Sequence, residues 1–237
     1  MQITKSIKLA TLASVAITTG IINQAPATAT DLDFGHVGIF SQQEINEVRG
    51  AFNKAKFASD KVNKEVNDFW NVRRSRRRAR FDRNPFLTKW FGISVSHYQI
   101  KKFRNRTKDI RDSLNSRSWK IRKAGSNGLC SNPNRMWIAT PKVHTLRLCS
   151  RFFNAGSHNA FSSENERSKR QAAEVVKAAA TIRRGLVIDY SPFSGVQGNR
   201  GGFQLRSVIA GSIANNKPRQ AKKSRNNYYF GYLQLMN

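Results

Sequence analysis

The chain has 237 residues, with 42 Lys and Arg against 14 Asp and Glu, which gives a formal net charge of +28. Hydrophobic residues make up 39% of the chain, enough for one domain with a core, which excludes a disordered or fibrous protein. Such an excess of cations repels itself. We therefore expect the charge to lie on exposed faces or to be met by an anionic partner, namely nucleic acid, an acidic polysaccharide or lipid headgroups.

The first 29 residues have the pattern of an export signal. Lys5 and Lys8 precede an apolar run over 9–22, and small residues follow up to a predicted cleavage site near Ala29. The run is short for a membrane span, and no later segment reaches the length that a span needs. We therefore expect residues 30–237 to form one secreted or periplasmic domain, without a transmembrane segment.

The chain has two cysteines, Cys130 and Cys149. An exported chain meets an oxidising compartment, where an isolated pair is most simply a disulfide. Closing a loop of this length stabilises a fold by roughly 3 kcal/mol on the chain-entropy estimate. Two thiols alone also argue against a structural zinc site, which takes four ligands.

A capping box opens the first predicted helix, because Ser41 stands three residues before Glu44. Apolar residues then recur at helical spacing. These positions are Ile45, Val48, Phe52, Ala55, Ala58, Val62, Val66 and Phe69. The pattern predicts a long amphipathic helix whose stripe packs in a core.

The densest charge follows this helix, with six arginines in eight residues. They are Arg73, Arg74, Arg76, Arg77, Arg78 and Arg80. Guanidinium groups bind phosphate and carboxylate bidentately, so the run could be an anion-binding segment, which we treat as a basic insertion near 73–83. A solvated loop without a partner and a processing site for a basic-residue protease are the alternatives, and the sequence does not decide among them.

A second helix and a small sheet are predicted next. The helical positions are Ile100, Phe103, Ile110 and Leu114. Strand-like pieces start at Trp119, at Met136 and at Val143, and turn residues separate them. We expect these three strands to pair as a small antiparallel sheet.

The segment Leu148-Cys149-Ser150-Arg151-Phe152-Phe153 resembles the LCPxFF segment of deuterolysins and peptidyl-lysine metalloendopeptidases, the aspzincin-like peptidases. The aromatic turn Trp90-Phe91-Gly92, and the C-terminal segments over 218–221 and 226–230, resemble parts of the same family in the same order. The resemblance implies an α+β, zincin-like fold. It would have long N-terminal helices, a small antiparallel sheet, a central helix in the place of the zinc helix, and a C-terminal helix.

The family places HExxH on its zinc helix, so that two imidazoles one turn apart hold the metal and the glutamate polarises the bound water. No HExxH occurs in this chain, and the corresponding turn is Ala173-Glu174-Val175-Val176-Lys177. Glu174 is then a relic or a general base. Ala173 has no lone pair to offer, and Lys177 brings a positive charge that we expect to pair with Glu174 or Asp189.

The chain has few other residues that are candidate metal ligands. By resemblance, Asp189 stands for the downstream aspartate ligand, although its spacing is a few residues too long. None of the four histidines has a partner four residues away; they are His36, His97, His144 and His158. A rebuilt site would use Glu174, Asp189 and His158. The glycine-rich stretch over 195–202 lacks a GKS or GKT ending and indicates a flexible loop.

Three functional hypotheses follow. The first is an exported, degenerate metalloendopeptidase-like protein that needs no cofactor, is inactive as a zinc protease and binds anionic macromolecules. The second is an active metallopeptidase or hydrolase with an altered zinc site. The third is a secreted toxin or effector that binds nucleic acid or membranes. The sequence leaves the oligomeric state open.

Overall fold

The computed structural model describes residues 31–35, 39–93, 96–115, 118–125, 130–131, 135–140, 144–154, 164–182 and 203–236. Helices outnumber strands in this part of the chain. The strands are β1 (Leu32–Asp33), β2 (Trp119–Lys123), β3 (Trp137–Thr140) and β4 (Thr145–Leu148). The helices are α1 (Gln42–Trp70), α2 (Arg74–Asp82), α3 (Pro85–Phe91), α4 (His97–Asn115), α5 (Ser150–Phe153), α6 (Glu164–Ile182), α7 (Phe203–Asn216), α8 (Pro218–Ala221) and α9 (Arg225–Gln234). The predicted α+β class is confirmed.

Helix α1 begins at the predicted capping box. The Ser41 hydroxyl accepts a hydrogen bond from the Glu44 amide at 3.1 Å, and the Glu44 carboxylate accepts one from the Ser41 amide at 2.8 Å. The apolar stripe behind the cap is buried from Val48 to Phe69, and Ile45 packs against its edge. The same Glu44 accepts from Lys123 of β2 at 2.7 Å, which joins the start of the helix to the sheet.

The sheet has the order β1-β2-β4-β3 and is mixed. Strand β2 runs parallel to β1 and to β4, and β3 alone is antiparallel to β4. The prediction of an antiparallel sheet is therefore wrong for the β2–β4 pair. The alternation of buried and exposed residues shows which side chains face the core, but it does not show in which direction a strand runs. Here β3 lies at the outer edge of the sheet, and β4 returns between β3 and β2.

The core lies between the sheet and the helices. Helix α6 packs against α1, α4, α9 and β3, so most of its sides are buried. A second group of rings fills the space beneath α2, α3 and α9. Its members pack edge-on, tilted or stacked against one another and are Phe69, Phe81, Phe91, Phe103 and Tyr228.

The aromatic turn after α3 requires its glycine. Gly92 has φ +66°, and a Cβ there would collide with the Ala214 carbonyl oxygen and the Pro218 side chain. Next to this turn, the Lys222 ammonium group donates to the carbonyl oxygens of Phe91 at 2.8 Å and Ile93 at 2.9 Å. The buried lysine thus satisfies carbonyls at the end of α3 that the helix leaves without partners. None of the helices in the described ranges is long and apolar enough to cross a membrane.

Candidate functional site

Helix α6 carries the residues that the sequence placed in the family's catalytic turn. Glu164 and Glu166 lie in its first turn, where carboxylates favour the positive end of the helix dipole. An alanine-rich sequence follows and lets neighbouring helices approach closely. As a result, all five residues of the turn from Ala173 to Lys177 are buried.

Glu174 is 5% exposed and has a defined partner. Its carboxylate accepts a hydrogen bond from the indole nitrogen of Trp137, on strand β3, at 2.7 Å. The contact joins residues 37 positions apart in the sequence and ties α6 to the edge of the sheet. A buried carboxylate held by an indole donor is stabilised in place, and one of its oxygens is already engaged.

Lys177 lies one turn further along the helix and is 6% exposed. The predicted ion pair between Lys177 and Glu174 does not form within the described residues, where Trp137 is the partner of Glu174. The other predicted partner, Asp189, lies outside the described residues.

A metal site is not assembled in the described part of the chain. No group of three or more His, Cys, Asp or Glu residues there could hold a metal ion. Two members of the predicted rebuilt site, His158 and Asp189, lie outside the described residues, as do His36, residues 195–202 and the predicted signal peptide. Of that predicted metal set, only Glu174 is placed.

The predicted disulfide between Cys130 and Cys149 is confirmed, with a Cα–Cα distance of 5.7 Å. Cys149 follows strand β4 and is the N-cap of α5. The bond therefore holds the segment before β3 against the junction of the sheet and α5.

The arginine run forms helix α2 and the residue that precedes it, so the interpretation as a loop is wrong. Phe81 is fully buried against Phe69 and Phe103, and this single anchor holds the helix to the core. Most of the other side chains of the helix are exposed. Five of the six predicted arginines are exposed, namely Arg73, Arg74, Arg76, Arg78 and Arg80.

The sixth arginine, Arg77, is half-buried and fixed. Its Nε donates to the Val72 carbonyl oxygen at 3.1 Å, and its guanidinium carbon lies 4.0 Å from the centre of the Trp70 ring. The guanidinium carbon of Arg104, on α4, lies 4.8 Å from the same centre. His97 stacks on Trp70 with ring centres 5.5 Å apart. We call these four residues, Trp70, Arg77, His97 and Arg104, the Trp70 cluster.

The electrostatic environment of the Trp70 cluster is positive. Burial lowers the pKa of His97 below its ordinary value, and the charges of Arg74, Arg77 and Lys101 lower it further. These three charged groups are all cations. On α2 itself, Arg78 and Asp82 form an ion pair at 3.7 Å, which lies near the surface and contributes little to stability.

Sequence reasoning found the arginines of α2 but not the Trp70 cluster or Trp137. His97 and Arg104 carry a detectable signal, since together with Lys101 and Lys108 they recur at the spacing of one helix face. Trp70 and Trp137 carry none, because their contacts join separate helices and strands.

The arrangement of these helices around a small mixed sheet is similar to a zinc peptidase fold. A solved structure to which it is similar is a zinc peptidase from Grifola frondosa, with a TM-score of 0.56 and 16% sequence identity over 83% of this chain and 98% of that chain. At this identity the similarity shows the fold alone. No family model and no curated protein matches the sequence.

Proposed function

We propose that this is an exported, strongly basic protein with a metallopeptidase-like fold that is inactive as a zinc protease and binds anionic macromolecules through α2. The sequence pattern of residues 1–29 supports export. The disulfide between Cys130 and Cys149 is of the kind that forms in oxidising compartments.

The loss of zinc chemistry follows from the residues on α6. We assign α6 to the position of the family's zinc helix, because it follows the segment from Leu148 to Phe153 in the family's order. Ala173 would offer a methyl group in place of the first imidazole, and Lys177 an ammonium group in place of the second. The Glu174 carboxylate accepts a hydrogen bond from Trp137. These side chains do not fit a zinc ion, and we assign no hydrolytic step to them.

The observation that carries the anion-binding proposal is the exposure of α2. Five arginines of this short segment point to solvent around one buried anchor, Phe81. Self-repulsion among them costs free energy, and phosphate, sulfate or carboxylate groups would relieve it through bidentate hydrogen bonds. A polyanion would in addition release its counterions on binding.

Salt dependence tests the proposal. Replacing all six arginines of 73–80 by serine should weaken binding to heparin and to DNA and should flatten the plot of log affinity against log salt. On single-stranded DNA the slope should become shallower by about 0.7 for each phosphate that the variant no longer neutralises. Fluorescence anisotropy over a salt series gives both quantities.

A matched control removes the same number of cations from exposed positions elsewhere. We choose six side chains on other elements, to be replaced by serine. They are Lys64, Lys120, Arg147, Lys217, Arg219 and Lys223. This variant has the same net charge as the first, so equal slopes in the two variants would mean that total charge rather than α2 governs binding. An unchanged slope in the α2 variant would refute the proposal.

A further inference from the structure

Helix α4 extends the positive surface of α2 with a second row of basic residues. His97, Lys101, Arg104 and Lys108 follow one another at intervals of four, three and four, so they lie along one side of the helix. Lys101 and Lys108 are exposed, and Arg104 is half-buried. The row spans about 16 Å at the rise of an α-helix.

The Trp70 cluster is where the two rows meet. Arg77 belongs to α2 and Arg104 to α4, yet both guanidinium groups lie within 5 Å of one indole ring centre. The two cationic carbons are therefore no farther apart than the sum of their distances to that centre. Two guanidinium groups this close suit the closely spaced negative charges of a linear polyanion better than a single isolated carboxylate.

Both guanidinium groups of the Trp70 cluster have hydrogen-bonding capacity to spare. The Nε of Arg77 donates to Val72, which leaves its terminal nitrogens, and neither arginine has a carboxylate within ion-pair distance in the chain as described. Stacking on Trp70 already restricts Arg77. A guanidinium group held in place loses less side-chain entropy on binding than a freely rotating one. These two arginines are thus preorganised to hold phosphate oxygens.

An exposed aromatic ring stands beside the cations. Tyr98 is 62% exposed, follows His97 in the chain, and has the Lys102 ammonium group 4.3 Å from its ring centre. Aromatic side chains among basic residues are the stacking platforms of single-strand binding proteins. A duplex keeps its bases stacked inside and a polysaccharide has none, so Tyr98 favours a nucleic acid whose bases are free.

We infer that α2 and α4 together bind single-stranded nucleic acid, with Arg77 and Arg104 as phosphate anchors and Tyr98 as a stacking platform for a base. The inference deepens the proposed function, because it rests on the anion-binding role of α2 and names the polyanion. It also predicts that the exposed ring of Tyr98 contributes to affinity, which binding by charge alone does not require.

The test compares a fluorescent oligothymidylate with a fluorescent heparin fragment and with vesicles of phosphatidylserine and phosphatidylcholine, all at one salt concentration. Tyr98→Leu should weaken binding of the oligothymidylate by about 5-fold to 150-fold, the range expected for one stacked base, and should leave heparin binding unchanged. Tyr98→Phe keeps the ring and should bind like the parent protein. Because the side chain is exposed, thermal melting should be the same for all three proteins.

A second pair of variants tests the anchor. Arg77→Lys keeps the charge but loses the planar fork, and it should weaken oligothymidylate binding several-fold. Arg147→Lys, on strand β4 outside this surface, is the control and should have no effect.

Three results would overturn the inference. They are unchanged oligothymidylate binding by Tyr98→Leu, an equal weakening of its heparin binding, and a preference of the parent protein for the vesicles over the oligothymidylate. In each case the proposed function stands if the six-arginine variant loses its salt dependence on heparin. If the parent protein binds none of the three probes, the inference and the proposed function fail together.

Discussion

Lys222 shows at the residue scale how this protein accommodates a cation in its interior. The side chain is 2% exposed, and burial lowers its pKa from 10.5 to about 8, an effect that the charge of Asp82 partly offsets. Carbonyl oxygens at the end of α3 accept its hydrogen bonds, and the Phe81 ring lies 5.2 Å from the ammonium nitrogen. The lysine therefore links α3 and α8 to the base of α2.

The lowered pKa predicts a pH dependence of stability. Between pH 8 and 10.5 the unfolded chain binds more protons at Lys222 than the folded chain, so this residue makes stability rise with pH across that interval. The free energy of unfolding of the parent protein, minus that of Lys222→Met, should increase by up to about 1.4 kcal/mol per pH unit. Urea denaturation at several pH values measures it. A difference that stays flat from pH 8 to 10.5 would show that the folded and unfolded pKa values are equal.

The hydrogen bond between Trp137 and Glu174 gives a second prediction. Trp137→Phe removes the indole donor and leaves a buried carboxylate without its partner, which should cost about 1 to 3 kcal/mol of the free energy of unfolding. Glu174→Leu in the Trp137→Phe background should recover part of that stability. A double-mutant cycle by chemical denaturation separates the hydrogen bond from the change in packing, and a coupling energy near zero would contradict the contact.

At the scale of the element, zinc binding by variants of helix α6 tests the family resemblance. Ala173→His together with Lys177→His restores two imidazoles one turn apart with Glu174 between them. We expect this variant to bind zinc in calorimetry, whereas the parent protein should not. The single variant Ala173→His provides one imidazole and should bind much more weakly. A double variant that melts like the parent protein but binds no zinc would refute the assignment of α6.

Helices and strands with a recognisable pattern in their own sequence could be predicted. Helix α1 has both a cap and an apolar stripe, and each is present in the structure. Helix α2 was missed because its one core contact, Phe81, gives no periodicity and its arginines fit a loop as well as a helix. Helix α7 was not predicted either. Strand order and direction were not predictable, because they depend on pairing between residues far apart in sequence.

The candidate site likewise has residues that the sequence could predict and residues that it could not. Glu174 and the arginines of α2 could be named from the sequence, by resemblance and by charge density. Their partners could not, since the contacts of Glu174 with Trp137 and of Arg77 with Trp70 join different elements. Glu174 meets the indole of strand β3 rather than the neighbouring Lys177, and that contact joins residues 37 positions apart.

At the scale of the whole molecule, the fold resembles that of a zinc peptidase, and the chain is strongly basic. The central helix has an alanine and a lysine where the family resemblance puts the zinc ligands. Part of the charge of +28 lies where two helices present basic rows around one indole. Function therefore has to be argued from the surface rather than from the fold.

Hydrogen exchange of the protein with and without a polyanion tests the central claim most directly, because a ligand slows exchange where it stabilises local structure. Saturating oligothymidylate or heparin should slow exchange over residues 70–83, the end of α1 and helix α2, which a single buried side chain holds to the core. Helix α6 and the sheet should change little. Protection confined to α6, or no protection over 70–83 at saturation, would contradict the account.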